Sequence, residues 1–359
     1  MQKIAHQPAG QKPDTPPIDQ RSFGQRALIA AGISLVLIAL FLLFRAIVDV
    51  LLLVFAAILL AILLYALAEP LARYSPLSPR WSVLSVAVLL LGGLGFIGWL
   101  LVPDLARQLD ELVATIPESL SNLHGWVSQY DWGSWLMSQI QNPARLPPTT
   151  ALISNVRGIF STTGGILIGV LIFFFLGIYL ALEPHLYHRG IIRLLPLHRR
   201  ERGEEVLDNL HQTLRWWLLS KLLAMIVIGV LTTVGLMLLG VPLAFTLGFI
   251  AALLSFIPNL GPTLALIPAV LVGLSGGWVQ ALQVLILYLA IQALESYLIT
   301  PYIERRTISM PPALMLSAQV ALGVLVGGIG VFLAAPLVAV SIVLVRMLFV
   351  EDVLGDSGN

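Results

Sequence analysis

The chain has 359 residues, 58% of them hydrophobic and only 11% charged, with a formal net charge of +1. A soluble protein of average composition carries about 25% charged residues, so this composition excludes an ordinary globular domain and leaves the bilayer as the solvent for most of the surface. There is no cysteine, which removes disulfides, thiolate metal sites and cysteine nucleophiles.

Residues 1–26 are polar and rich in Pro and Gln, without a small-residue cleavage site behind a short apolar core. Residues 1–22 therefore read as a disordered cytoplasmic tail, followed by three transmembrane helices within 23–102. A spanning helix needs about 20 predominantly apolar residues, and Ala27–Phe44, Val50–Ala68 and Trp81–Val102 qualify. Residues 103–165 form an external insertion in which Leu105, Leu109, Leu112, Ile116, Leu120, Leu123 and Val127 draw one face of an amphipathic helix. A fourth span occupies 166–182. The cytoplasmic insertion 183–221 repeats an amphipathic face at Val206, Leu210, Leu214 and Trp217.

Residues 222–350 form a C-terminal transport half, and 351–359 a second cytoplasmic tail. Within this half Leu222–Leu239, Val279–Ile299, Pro312–Phe332 and Ala335–Val350 are full-length apolar runs. Val241–Ile257 and Thr263–Ser275 are too short to span comfortably and read as a re-entrant hairpin broken at 256–262. The expected fold is an all-α integral membrane protein of about eight transmembrane helices. Sixteen of the 20 Lys and Arg fall on one side of that arrangement, which places both termini in the cytoplasm.

The break carries the sharpest chemistry. Pro258 and Pro262 bracket Asn259 and Gly261 inside an apolar stretch. Each proline lacks a backbone donor, so the carbonyls of Leu254 and Pro258 are expected to lack helical partners. Backbone of that kind at membrane depth must be satisfied by protein or line a polar cavity. The plainer alternative is a buried turn with no ligand.

Glu295 is the acidic residue that falls inside a span, where a carboxylate costs about 2.5–3.5 kcal/mol at the centre. Tyr288 and Gln292 share its helical face at steps of four and three, so the three join the break as candidate substrate or ion ligands. An interfacial ion pair is the structural alternative. Gln319 lies in a segment, 312–327, that matches 262–277 at an offset of 50, with six of 16 positions identical. Gly323, Gly327, Gly328 and Gly330 read as close-packing or hinge positions. His185 and His188 have metal-compatible spacing but no further ligands, so no metal site is assigned. No phosphate-binding G-x-x-x-x-G-K-[ST], G-x-S-x-G elbow or H-E-x-x-H helix occurs, which points away from an enzyme, a cofactor or a nucleic-acid partner.

The run Phe256-Ile257-Pro258-Asn259-Leu260-Gly261-Pro262, followed by Pro268, resembles the signature of the autoinducer-2 exporter family of bacterial permeases. So do Gln292-Ala293-Leu294-Glu295-Ser296 leading to Pro301, and Gly327-Gly328-Ile329-Gly330 before Pro336. The resemblance implies a secondary transporter of the bacterial inner membrane that exports a small polar signalling molecule. It also implies homo-oligomers, pentamers among them, and an elevator-like shift of a core domain. Some family members exchange sodium or lithium for protons, so a monovalent cation/proton antiporter is the nearest alternative, and a non-transporting membrane scaffold the more distant one. Ser309-Met310-Pro311-Pro312 stands where a histidine before the proline is common in the family, so no role of that histidine transfers.

Overall fold

A computed structural model describes residues 20–99, 163–299 and 310–356, with side chains described for 34–99, 169–297 and 310–356. The N-terminal tail to residue 19, the external insertion up to residue 162 and the segment holding Pro301, Arg305, Arg306 and Ser309 lie outside these residues. The described chain divides at Val50 into two units.

Among the described residues every regular element is helical. Helix α1 runs Gln20–Tyr74 and α2 Pro79–Trp99. Helix α3, Thr163–Leu182, is followed by α4, Pro184–Arg193, and a short 3₁₀ turn leads into α5, Arg200–Leu238. Helices α6, Ala244–Leu254, and α7, Leu260–Ser275, flank the break. Helix α8, Trp278–Leu294, continues as a π turn over Glu295–Ile299. Helix α9 is Pro312–Val326, and α10, Gly328–Leu344, ends in a second π turn, Val345–Glu351.

Among the described residues five helices are long and apolar enough to cross a membrane, or six if the bent pair α3–α4 counts as one. Two differences separate this from the expected eight. No hairpin separates Ala27–Phe44 from Val50–Ala68, because α1 is continuous. The intervening Arg45-Ala46-Ile47-Val48-Asp49 holds no Gly, Pro or Asn to turn the chain. The run Pro312–Phe332 is not one span either. It ends at Val326, and Gly327, at φ 80° and ψ −150°, redirects the chain.

That second break exposes a repeat much stronger than the sequence echo. Helices α8 and α10 each have 17 residues and start 50 positions apart, as do their terminal π turns. Gly277 (φ 102°, ψ 170°) opens α8 as Gly327 opens α10. The packing repeats too. A Cβ on Gly273 would meet the Ala281 Cα at 3.2 Å, and one on Gly323 would meet the Val331 Cγ2 at 2.9 Å. Ala281 and Val331 are again 50 apart, so two short helices each fold back on a longer one at an equivalent glycine crossing.

The core of the C-terminal half gathers Ile228 and Leu236 of α5, Leu247 and Ala251 of α6, Ala265, Ala269 and Val272 of α7, and Val284, Tyr288 and Ile291 of α8. The amphipathic face of α5 is buried as its period requires. Val206 packs with Val343 and Met347, and Leu210 joins them. Arg202 fastens the same corner, with Glu205 at 2.6 Å, Glu351 at 2.8 Å and Asp352 at 2.9 Å.

Candidate functional site

Prolines at 258 and 262 stop α6 and restart the chain as α7. Asn259 carries the turn at φ 65° and ψ −44°, outside the left-handed helical well, and the bond from Leu260 N–H to the Pro258 carbonyl closes a γ-type turn around it. Gly261 is buried, and a Cβ there would run into the Leu254 carbonyl, so only glycine lets α7 begin this close to the end of α6.

The two carbonyls singled out in the sequence are not orphaned. Ile257 N–H donates to the Leu254 carbonyl at 2.9 Å, a tightened last turn. The Pro258 carbonyl accepts from Leu260 N–H at 2.8 Å and from the Gln319 amide Nε2 at 2.9 Å. Gln319 lies on α9 and is 1% exposed, so a side chain from the second hairpin is buried against the break in the first. The carbonyl can only accept, which fixes the NH₂ group of Gln319 toward it. The Gln319 Oε1 is left buried without a partner.

Aromatic rings surround the same turn. Phe256 stacks on Phe332 of α10 with centroids 4.1 Å apart and meets Trp217 of α5 edge-on at 5.6 Å. The sequence reading treated Phe256 only as part of a motif and missed both partners. No local signal places residues so distant in sequence side by side.

The Tyr288, Gln292 and Glu295 face is partly assembled. Tyr288 is buried in the apolar core, and its hydroxyl has no partner. Gln292 Nε2 reaches Ser296 Oγ at 3.5 Å. Glu295 opens the π turn and is partly buried, with Lys221 of α5 as the charge acting on it. Lys221 follows Trp217 by four residues, about 6 Å along a helix. One turn of α5 thus touches the break through Trp217 and acts on Glu295 through Lys221.

The remaining residues separate by role. Asn259 is exposed, and Pro258 and Pro262 are half-buried. Gly330 is buried where a Cβ would clash with the Leu322 carbonyl, Gly327 turns the chain, and Gly328 has open space around it. The described residues contain no group of three or more metal-binding side chains.

Comparison with known proteins adds a family and several relatives. The AI-2E family transporter description matches residues 33–349. YueF of Bacillus subtilis, named provisionally as a transport protein, is 25% identical over 306 residues, covering 80% of this chain and 82% of that protein. PerM of Escherichia coli K12, named provisionally as a permease, is 26% identical over 308 residues, covering 79% and 84%. The AI-2 transport protein TqsA of the same strain is 29% identical over 140 residues, covering 39% of this chain and 41% of TqsA.

Proposed function

The chain belongs to the AI-2E transporter family, and from that premise we propose that it exports a small polar solute of the autoinducer-2 type across the bacterial inner membrane as a secondary transporter. The solute site is the break at Pro258, Asn259, Gly261 and Pro262, together with Gln319 and the Tyr288, Gln292 and Glu295 face. Both termini are cytoplasmic, 222–350 is the moving half, and the working unit is a homo-oligomer.

The bond from Gln319 to the Pro258 carbonyl carries this reading. It ties α9 of the second repeat to the break that precedes α7 of the first, and broken helices beside internal repeats are where secondary transporters hold their substrates. A solute hydroxyl suits the free Gln319 Oε1, which accepts but cannot donate. Phe256, within the break, packs edge-on against Trp217 and supplies an apolar surface at the same turn. Glu295, acted on by Lys221, is the group suited to carry a coupling charge.

Everted membrane vesicles test the proposal, because export from the cell becomes uptake into the vesicle. Wild-type protein is expected to accumulate labelled autoinducer-2, with accumulation weakened in Glu295→Gln. A pH change on adding sodium or lithium that vanishes in Glu295→Gln, without solute uptake, would identify a cation/proton antiporter instead. Neither response from inserted protein would overturn both transport readings.

A further inference from the structure

Away from the break, α1, α2, α3 and α4 line an open cavity of about 830 Å³ whose lining includes Tyr65, Arg80, His185, Arg189 and Arg193. Glu183 is the carboxylate in that lining, and it lies 3.5 Å from Arg80 in a pair largely open to solvent. Two guanidinium charges are therefore in surplus, counting His185 as neutral.

Helix α4 shows how the cavity is placed. Pro184 begins it, and the axis turns 82° from α3, so α4 lies across the end of an apolar helix rather than extending it. Its ten residues present three faces. His185, Arg189 and Arg193, four apart, line the cavity. His188 and Ile192 turn to α5, where His188 meets Asp208 at 3.8 Å and Ile192 is 6% exposed. Leu186, at the edge of the cavity, is 62% exposed, and beyond it Ile191 is 49% and Leu194, just past the helix end, 85% exposed. A helix with a basic face and a bare apolar face, lying across the end of a span, has the form of one seated at the headgroup boundary. Basic pockets between membrane helices hold anionic headgroups.

We propose that the cavity formed by Arg80, Arg189 and Arg193 binds the phosphate of an anionic phospholipid, whose acyl chains lie along Leu186, Ile191 and Leu194. Apolar side chains beside the cationic cavity favour a lipid over a soluble phosphate. Charge complementarity favours an anionic headgroup over a zwitterionic one.

Native mass spectrometry of the delipidated protein, with added phosphatidylglycerol or phosphatidylcholine, tests this. Wild type is expected to retain phosphatidylglycerol preferentially, and Arg189→Gln with Arg193→Gln to lose about fivefold of that preference per guanidinium removed. Arg189→Lys with Arg193→Lys keeps the charge and is expected to keep most of the preference. Both positions are exposed, and a monodisperse elution profile checks that each variant is folded. Equal retention of both lipids by wild type, or an unchanged preference in the double Gln variant, would overturn the proposal. Displacement of phosphatidylglycerol by excess inorganic phosphate would overturn the lipid assignment in favour of a soluble anion site.

Discussion

In the proposed mechanism the Gln319 amide both bonds the Pro258 carbonyl and keeps a buried acceptor for the solute. Replacing it with Leu leaves the Pro258 carbonyl its backbone partner but removes the side-chain donor. The expected cost is about 1 kcal/mol, the net worth of a typical hydrogen bond, seen as a slightly lower unfolding temperature in detergent. Gly261→Ala should cost more, about 1–3 kcal/mol, because the new Cβ meets backbone rather than a side chain that can move aside. The break itself was legible because proline and glycine act locally and leave their mark in the sequence. Its partner was not, since the bond from Gln319 spans 61 residues. The same holds for Glu295, whose cost in a span could be read from its charge, while the charge of Lys221, 74 residues earlier, reaches it only through the fold.

At the scale of elements, the repeat explains both a success and a miss. Six identities at an offset of 50 hinted at duplication. The structure reproduces that offset in helix starts, glycine turns, crossings and π turns. Pro312–Phe332 was read as one span because hydrophobicity continues through the turn, and an apolar run carries no sign of where a helix folds back. The glycines mark the place, and their reading as close-packing or hinge positions does not specify a turn of the chain there. A paired substitution separates these roles. Gly327→Ala puts a side chain at φ 80° and ψ −150° and is expected to destabilise by about 1–3 kcal/mol. Gly328→Ala, with open space around it, should be nearly neutral. The corner held by Arg202 makes a further prediction. Arg202→Ala removes three carboxylate contacts and a bond to the Met347 carbonyl. It should lower stability by about 2 kcal/mol, on the scale of hydrogen bonds to charged groups, with less effect in high salt.

For the whole molecule, composition decided the solvent before any motif was considered, and the all-helical membrane fold follows from it. The helix count did not follow, because span number depends on where helices turn, and α1 passes the expected turn unbroken. In the proposed reading, α9 of the second repeat meets the break ahead of the first and the solute is held where they touch. The most direct test is the initial rate of autoinducer-2 uptake into everted vesicles by wild type and by Gln319→Leu, at matched amounts of inserted protein. A rate at least about tenfold lower in the variant, consistent with loss of one good polar contact to a buried solute, together with an unfolding temperature only slightly reduced, is the predicted result. Equal rates in the two proteins would contradict the account and place the solute elsewhere.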